Sequence, residues 1–189
     1  MNRLRASLAF VGLALLGRLA FAEEPPGFES IDPAAYDAMF VDAVQAHQAG
    51  HHVDAFRKFV RLACGGDKQS QETLGAMYLA GEGVKQNTAM AYLWLKVASE
   101  FNFPPYRALV KKIEDALTPE QKQQFGQLAE ELRAQYGLRA TNMSCRAQSS
   151  KMFASKINDK VVCTPARSGA LLLVQRCYAD EVRSAAAAQ

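Results

Sequence analysis

Six stretches of the sequence place apolar residues three or four positions apart, the spacing that puts them on one face of an α-helix. The first stretch begins at Asp32-Pro33, an N-cap followed by proline at the first helical position. The sixth begins at Thr118 with a capping box that includes Gln121. Glycines and prolines separate the stretches, at Gly50, Gly65-Gly66, Gly81, Gly83, Pro104-Pro105 and Gly137. The pattern predicts an all-α domain over residues 34–137.

The connections between these helices are short, which favours helical hairpins. A weak internal repetition supports stacking of the hairpins. At an offset of 36 residues, Ala55, Phe56 and Phe59 align with Ala91, Tyr92 and Leu95. A period in the mid-thirties is typical of helical solenoids, in which each hairpin buries its apolar face against the next. We therefore expect a short α-solenoid of about three hairpins, similar to tetratricopeptide repeats.

The most specific pattern lies between residues 71 and 98. Its members are Gln71, Leu74, Gly75, Met77, Tyr78, Gly81, Glu82, Gly83, Val84, Asn87, Ala89, Ala91, Trp94 and Ala98. This pattern resembles one full unit of the Sel-one-like repeat (SLR) family, a relative of the tetratricopeptide repeats. The resemblance extends over residues 50–102, and the segment at 117–121 is similar to the helix that often closes such arrays. It implies a helical-repeat fold that binds other proteins.

Several residues of this pattern can also be explained by helix packing and backbone conformation, without reference to the family. Gly75 lacks bulk where two helices of a hairpin must approach closely, while Tyr78 and Trp94 supply large apolar area with a polar tip. Gly81 and Gly83 permit a positive φ in the connecting loop.

The N-terminal segment has the features of a secretory signal peptide. Met1 to Arg5 is basic, Ala6 to Gly17 is apolar, and Ala20 and Ala22 form a small-x-small cleavage site. The apolar run is nearer a dozen residues than the roughly 20 that a transmembrane helix needs. We expect cleavage after Ala22, export to the periplasm or beyond without a transmembrane anchor, and a linker over residues 23–33.

Export determines how the cysteines are interpreted. Cys64, Cys145, Cys163 and Cys177 are even in number and would meet an oxidising compartment, so we expect disulfides. Three pairings are possible and the sequence does not choose among them. No C-x-x-C is present, which argues against a zinc site or a redox pair.

Residues 138–189 differ from the helical part. They form a basic, cysteine-containing segment in which residues 160–164 and 170–178 are predicted strands, joined as a β-hairpin by Pro165 to Gly169. We expect a small disulfide-stapled appendage, or a cap on the end of the solenoid. An anionic surface such as lipid or glycan stays an alternative partner, because the segment contains five basic residues that could contact it: Arg139, Arg146, Lys151, Lys156 and Lys160.

The net charge of +3 at first suggests a nucleic-acid partner. All of that excess belongs to Arg3, Arg5 and Arg18 in the signal segment, and the remainder has 19 basic and 19 acidic groups. Residues 23–136 carry 11 basic and 16 acidic groups, whereas the C-terminal segment carries 8 and 3. We therefore expect no nucleic-acid partner.

No motif indicates catalysis, a cofactor or a metal. His47 and His51 have the spacing of a helical metal pair, but Gly50 lies between them and should end the helix before His51. His52 falls in the same turn. The Gly81-Glu82-Gly83 loop lacks the lysine of a nucleotide-binding loop. The chain is therefore predicted not to be an enzyme.

We expect an exported, non-catalytic protein that binds a segment of another protein of the bacterial cell envelope in a groove. The groove would be lined by Tyr36 to Gln48, Lys68 to Ala80 and Pro105 to Ala116. The resemblance leaves one enzymatic alternative, because some cysteine-rich relatives bind or hydrolyse penicillins. Such relatives carry a cysteine pair in each repeat, whereas the helical part here contains only Cys64.

Overall fold

The computed structural model describes residues 28–148, 160–165 and 172–175. The signal segment with its expected cleavage site at Ala22, the first part of the linker, and Cys177 lie outside these residues. The elements in chain order are β1 (Phe28–Ile31), α1 (Pro33–Gln48), α2 (His52–Cys64), α3 (Lys68–Ala80), α4 (Thr88–Ala98), a 3-10 turn (Ser99–Phe101), α5 (Pro104–Glu114), α6 (Pro119–Tyr136), α7 (Leu138–Thr141), β2 (Met143–Gln148), β3 (Lys160–Pro165) and β4 (Leu172–Gln175).

The predicted helix ends are confirmed by their capping geometry. The Asp32 carboxylate accepts hydrogen bonds from the backbone amides of Ala34 and Ala35 and starts α1. Thr118 starts α6 with both halves of a capping box. Gly50, two residues after the end of α1, has a φ of 80°, a conformation that favours glycine and turns the chain toward α2. Local signals therefore set the start of α1, the end of α1 and the start of α6.

The first four helices form two hairpins. α1 packs against α2, α3 packs against α4, and α2 packs against α3, so the hairpins share one core. Gly75 is where α3 and α4 approach most closely, because a Cβ there would lie 2.6 Å from the Leu95 Cγ and 3.1 Å from the Ala91 carbonyl oxygen. The expectation that this glycine provides room for a neighbouring helix is confirmed.

The third pair of helices departs from the expected hairpin, because α5 and α6 both pack principally against α4. α4 is apolar around its circumference, and a helix of this kind is stable only when it is surrounded. Trp94 on one side stacks on Tyr136 of α6, with ring centroids 5.7 Å apart. A second core cluster on the other side joins α4 to Val110 and Ile113 of α5 and Ala129 of α6.

The two predicted strands are present as β3 and β4, but their predicted pairing is wrong, and β2 was not predicted. β3 pairs antiparallel with β2, and β4 pairs antiparallel with β1, so β3 and β4 do not form a hairpin with each other. Residues 28–31, expected in a linker, thus form a strand. A disulfide joins Cys145 to Cys163, which lie directly opposite each other with Cα atoms 4.0 Å apart. Turn residues mark where a chain reverses and do not determine which strand it meets.

The C-terminal segment also shares the main core. Met143, Val161 and Cys163 are buried in the same cluster as the first two hairpins. Val161 and Cys163 lie on one face of β3 because side chains alternate along a strand, and Thr164 is exposed. The segment is therefore packed on the helices through β3 and α3. Cys64 at the end of α2 is buried and disulfide-bonded as well.

Candidate functional site

A cleft of about 260 Å³ lies between α1, the start of α3 and β3, and we call it the α1 cleft. Four residues of α1 line one side, two residues at the start of α3 line the base, and β3 lines the opposite side. The lining residues are Tyr36, Asp37, Phe40, Val41, Asp67, Gln69, Lys160, Val161, Val162 and Cys163. The cleft is thus a product of the helical part and the C-terminal segment together.

The walls of the α1 cleft are apolar and its rim is charged. Phe40 is half-buried, and Val41 is 53% exposed, one of two large apolar side chains with high exposure among the described residues. Asp37 on α1 and Lys160 on β3 are both exposed at the rim. An arrangement of this kind can bind an apolar side chain while opposite charges hold polar groups on either side of it.

The base of the α1 cleft is a buried polar layer held by hydrogen bonds. The buried Tyr36 hydroxyl donates a hydrogen bond of 3.0 Å to the Leu62 carbonyl. Burial, with the neighbouring carboxylates of Asp67 and Asp37, holds the pKa of Tyr36 well above its usual value. Asp67 caps α3 by accepting a 2.6 Å hydrogen bond from the Ser70 amide, although burial raises the pKa of its carboxyl group. The Tyr36 hydroxyl and the Asp67 carboxylate therefore form hydrogen bonds that stabilise the fold.

Gly65 allows Tyr36 to take this position. A Cβ at residue 65 would lie 3.0 Å from the Tyr36 hydroxyl oxygen and 3.1 Å from its ring. The tyrosine of α1 therefore lies directly against the turn between α2 and α3. The predicted role of the Gly65-Gly66 pair was only to end α2.

A buried lysine lies next to this base. The Lys68 side chain is 0% exposed, and its ammonium group forms an ion pair of 3.3 Å with Glu100. It donates hydrogen bonds of 2.8 Å to the Gln71 side-chain oxygen and 3.2 Å to the Val97 carbonyl. Burial lowers the pKa of Lys68 to about 8, and the Glu100 carboxylate opposes this shift. All three ammonium donors are therefore used, as a buried charge requires.

The same network connects distant parts of the chain. The Gln71 amide donates 2.9 Å hydrogen bonds to the carbonyls of Ala63 and Tyr136. Glu100 also accepts from the Leu138 amide, and the Lys68 backbone amide lies 3.4 Å from the Cys163 sulfur. Sequence analysis identified Gln71 as part of the repeat pattern but named Lys68 only as the first residue of a predicted groove range, without predicting its burial. The one sequence feature that marked Lys68 as unusual was its place in the first turn of a helix, where the helix dipole disfavours a cation.

The predicted groove is assembled only in part. From the first predicted range, α1 contributes Tyr36, Asp37, Phe40 and Val41 to the α1 cleft, and from the second range only Gln69 of α3 lines it. Most of α3 is buried between α2 and α4. α5 contributes none of the lining residues, because it packs on the far side of α4. β3 lines the cleft although only helices were predicted to line the groove, and no local signal in the sequence indicated this.

The repeat-defining residues occupy the core and the loop between α3 and α4. The members on α3 and α4, with Val84, are buried: Leu74, Gly75, Met77, Tyr78, Val84, Ala91, Trp94 and Ala98. Gly81 and Gly83 have φ values of 74° and 69°, as predicted for a loop that requires a left-handed conformation. These residues build the fold and do not line the α1 cleft.

A separate cluster lies on the other end of α1. His47 in the last turn of α1, His52 at the start of α2 and Glu82 in the loop between α3 and α4 come together, with potential ligand atoms all within 4.8 Å of one another. His51 is exposed and is not a member of this group. Sequence analysis weighed only the pair His47 and His51. Glu82 is 35 residues from His47, so no sequence spacing indicated the cluster.

No protein-family model matches the chain, and no curated protein matches it. Among the residues that the structure describes, none of the helices has the length and apolar character needed to cross a membrane.

Proposed function

We propose that the protein is an exported, non-catalytic adaptor of the bacterial cell envelope, of the Sel-one-like repeat type, that binds a segment of another envelope protein in the α1 cleft. The observation that carries this proposal is the size and lining of the cleft. Sites for small molecules and cofactors usually enclose about 300 to 1,000 Å³. A cleft of about 260 Å³ with apolar walls suits one or two side chains of a polypeptide.

The lining indicates the chemistry of the bound segment. Val41 and Phe40 offer an apolar contact, and Asp37 and Lys160 offer opposite charges at the rim. An extended segment with an apolar side chain flanked by charged residues meets both requirements. Because the polar base is held by its own hydrogen bonds, binding does not need to order it, and a preorganised site loses less entropy on association.

Two further observations support export and the repeat assignment. The Cys145–Cys163 disulfide is of a kind that persists in oxidising compartments, in agreement with the small-x-small motif ending at Ala22. The SLR pattern is supported by the close approaches at Gly75 and Gly83, where larger residues would collide with Leu95 and with the backbone of His52.

Affinity capture with matched variants tests this function. The full protein and two variants, Val41→Asp and Leu128→Asp, are used as bait in periplasmic extract. Leu128 on α6 is the other large exposed apolar residue in the described part of the chain, 40% exposed, and it lies outside the α1 cleft. We expect one partner to be retained by the wild type and by Leu128→Asp and to be lost with Val41→Asp. Equal recovery with all three baits would contradict the proposal.

A further inference from the structure

Three side chains with metal-ligating atoms meet at the junction of the two hairpins. The His47 Nε2 lies 2.7 Å from a Glu82 carboxylate oxygen. The His47 and His52 rings are 5.2 Å apart between centroids, at an angle of 69°. One ligand atom from each residue lies within 4.8 Å of the other two. All three residues are intermediate in exposure, between the core and the surface.

The backbone holds the three residues in this arrangement. Gly50, with a φ of 80°, ends α1 and reverses the chain, so that His52 begins α2 beside His47. Gly83 allows the loop between α3 and α4 to pack against the start of α2, next to His52. A Cβ at Gly83 would lie 2.2 Å from the His52 carbonyl oxygen, so a side chain there would push the loop and Glu82 away. Glu82 is therefore fixed by the packing of its loop against α2.

Two imidazoles and one carboxylate are ligands suited to Zn²⁺ and related divalent transition metals. Neighbouring ligand atoms around a tetrahedral zinc are separated by about 3.4 Å, given metal–ligand bonds of about 2.1 Å. The His47–Glu82 separation of 2.7 Å is shorter than that value and no separation among the three atoms exceeds 4.8 Å, so side-chain rotations would bring them into position. The His52 Nδ1 is buried and has no hydrogen-bond partner among the described residues, which a bound ion would explain.

The exposure of the cluster is consistent with metal access. The side chains of His47 and Glu82 are 34% and 40% exposed, so an ion reaches them from solvent without opening of the core. Three protein ligands leave a fourth position for water or for a donor from another molecule. An ion bound here would connect the end of α1 and the start of α2 to the loop of the second hairpin.

We propose that His47, His52 and Glu82 bind one divalent transition-metal ion, with Zn²⁺ as the ligand set indicates, and that this ion fastens the first hairpin to the second. The site is separate from the α1 cleft, since none of the three residues lines that cleft. The inference goes beyond the proposed adaptor function and does not depend on it.

The test measures Zn²⁺ binding by the protein purified from cells without a histidine tag, with its disulfides intact and stripped of metal by a chelator. Isothermal titration gives stoichiometry and affinity, and Co²⁺ replacement gives a visible absorption spectrum that reports the coordination geometry. The variants are His52→Ala and Glu82→Gln, and the matched control is His51→Ala at the adjacent exposed histidine. Glu82→Gln keeps an acceptor for the His47 hydrogen bond, so it tests the carboxylate ligand without removing that contact.

We expect one Zn²⁺ per chain in the wild type and in His51→Ala, and a loss of affinity of at least tenfold in the other two variants. Zinc at 100 times its dissociation constant should raise the Tm of the wild type by about 5 to 10 °C. Circular dichroism of the metal-free variants separates lost ligands from lost folding. No zinc binding by the wild type, equal affinity in all variants, or a loss in His51→Ala as large as in His52→Ala would overturn the proposal.

Discussion

The buried Lys68 ammonium group makes the stability of the protein depend on pH in the mildly alkaline range. Burial lowers the pKa of Lys68 in the folded state to about 8, from an ordinary value of 10.5. Between these two values the unfolded chain binds more protons than the folded chain, so stability rises with pH. The physical cause is that folding no longer has to bury a charge once the ammonium group has lost its proton.

The magnitude follows from the two pKa values. At pH 7 Lys68 is charged in both states, whereas at pH 9 the folded state has released most of this proton and the unfolded state has kept it. The linkage relation gives a gain of about 1.3 kcal/mol in the free energy of unfolding between pH 7 and pH 9. The comparison stops at pH 9 because tyrosine ionisation opposes the gain at higher pH. Burial raises the pKa values of Tyr36, Tyr92 and Tyr106 in the folded state, so these tyrosines ionise first in the unfolded chain and stability then falls as pH rises.

Urea unfolding at pH 7 and pH 9 measures this gain. The wild type is compared with Lys68→Met, which removes the titrating group, and with Lys112→Met, which removes an exposed lysine of α5. We expect the wild type and Lys112→Met to gain about 1.3 kcal/mol more than Lys68→Met. Because each protein is compared with itself at the two pH values, an overall loss of stability in Lys68→Met does not affect the change in its free energy of unfolding between pH 7 and pH 9. Identical pH dependence in the wild type and Lys68→Met would refute the reasoning.

The remaining predictions concern packing, disulfides and processing. Gly75→Ala should lower the free energy of unfolding by about 1 to 3 kcal/mol because its Cβ meets Leu95. Gly126→Ala, where a Cβ would meet nothing within 4 Å among the described residues, should raise it by about 0.5 to 1 kcal/mol. A gain at both positions would contradict the packing of α3 on α4. A peptide map of the unreduced protein should contain Cys145 linked to Cys163 and one further linked pair, and any other partner for Cys145 would contradict the pairing of β2 with β3. The protein purified from cells should begin at residue 23 by N-terminal sequencing, and retention of residue 1 would contradict the signal-peptide prediction.

Helix positions were accessible from the sequence because their signals are local. Asp32 and Thr118 cap helices within three residues of themselves, and Gly50 ends one by its own backbone conformation. The room required at Gly75 followed from the same kind of reasoning, since a bare position on an apolar helix face implies a close neighbour. The mostly helical fold was predictable to that extent.

Strand partners and both candidate sites depend on contacts between distant residues. β1 and β4 pair although more than 140 residues separate them, and neither strand has a sequence feature that predicts which strand it pairs with. Lys160 reaches the α1 cleft only because β3 packs beside α1 and α3. Glu82 reaches His47 only because its loop packs on α2. In each case tertiary packing, which leaves no local signal, determines the chemistry.

Site-specific photo-crosslinking tests the central claim that the α1 cleft binds another envelope protein. A photoreactive phenylalanine analogue replaces Val41 in one variant and Leu128 in a matched variant, and both are irradiated in living cells. The two positions are comparably exposed, and only Val41 lines the cleft. We expect a discrete adduct with one partner from position 41 and none from position 128. No adduct at position 41, or the same adducts from both positions, would contradict the account.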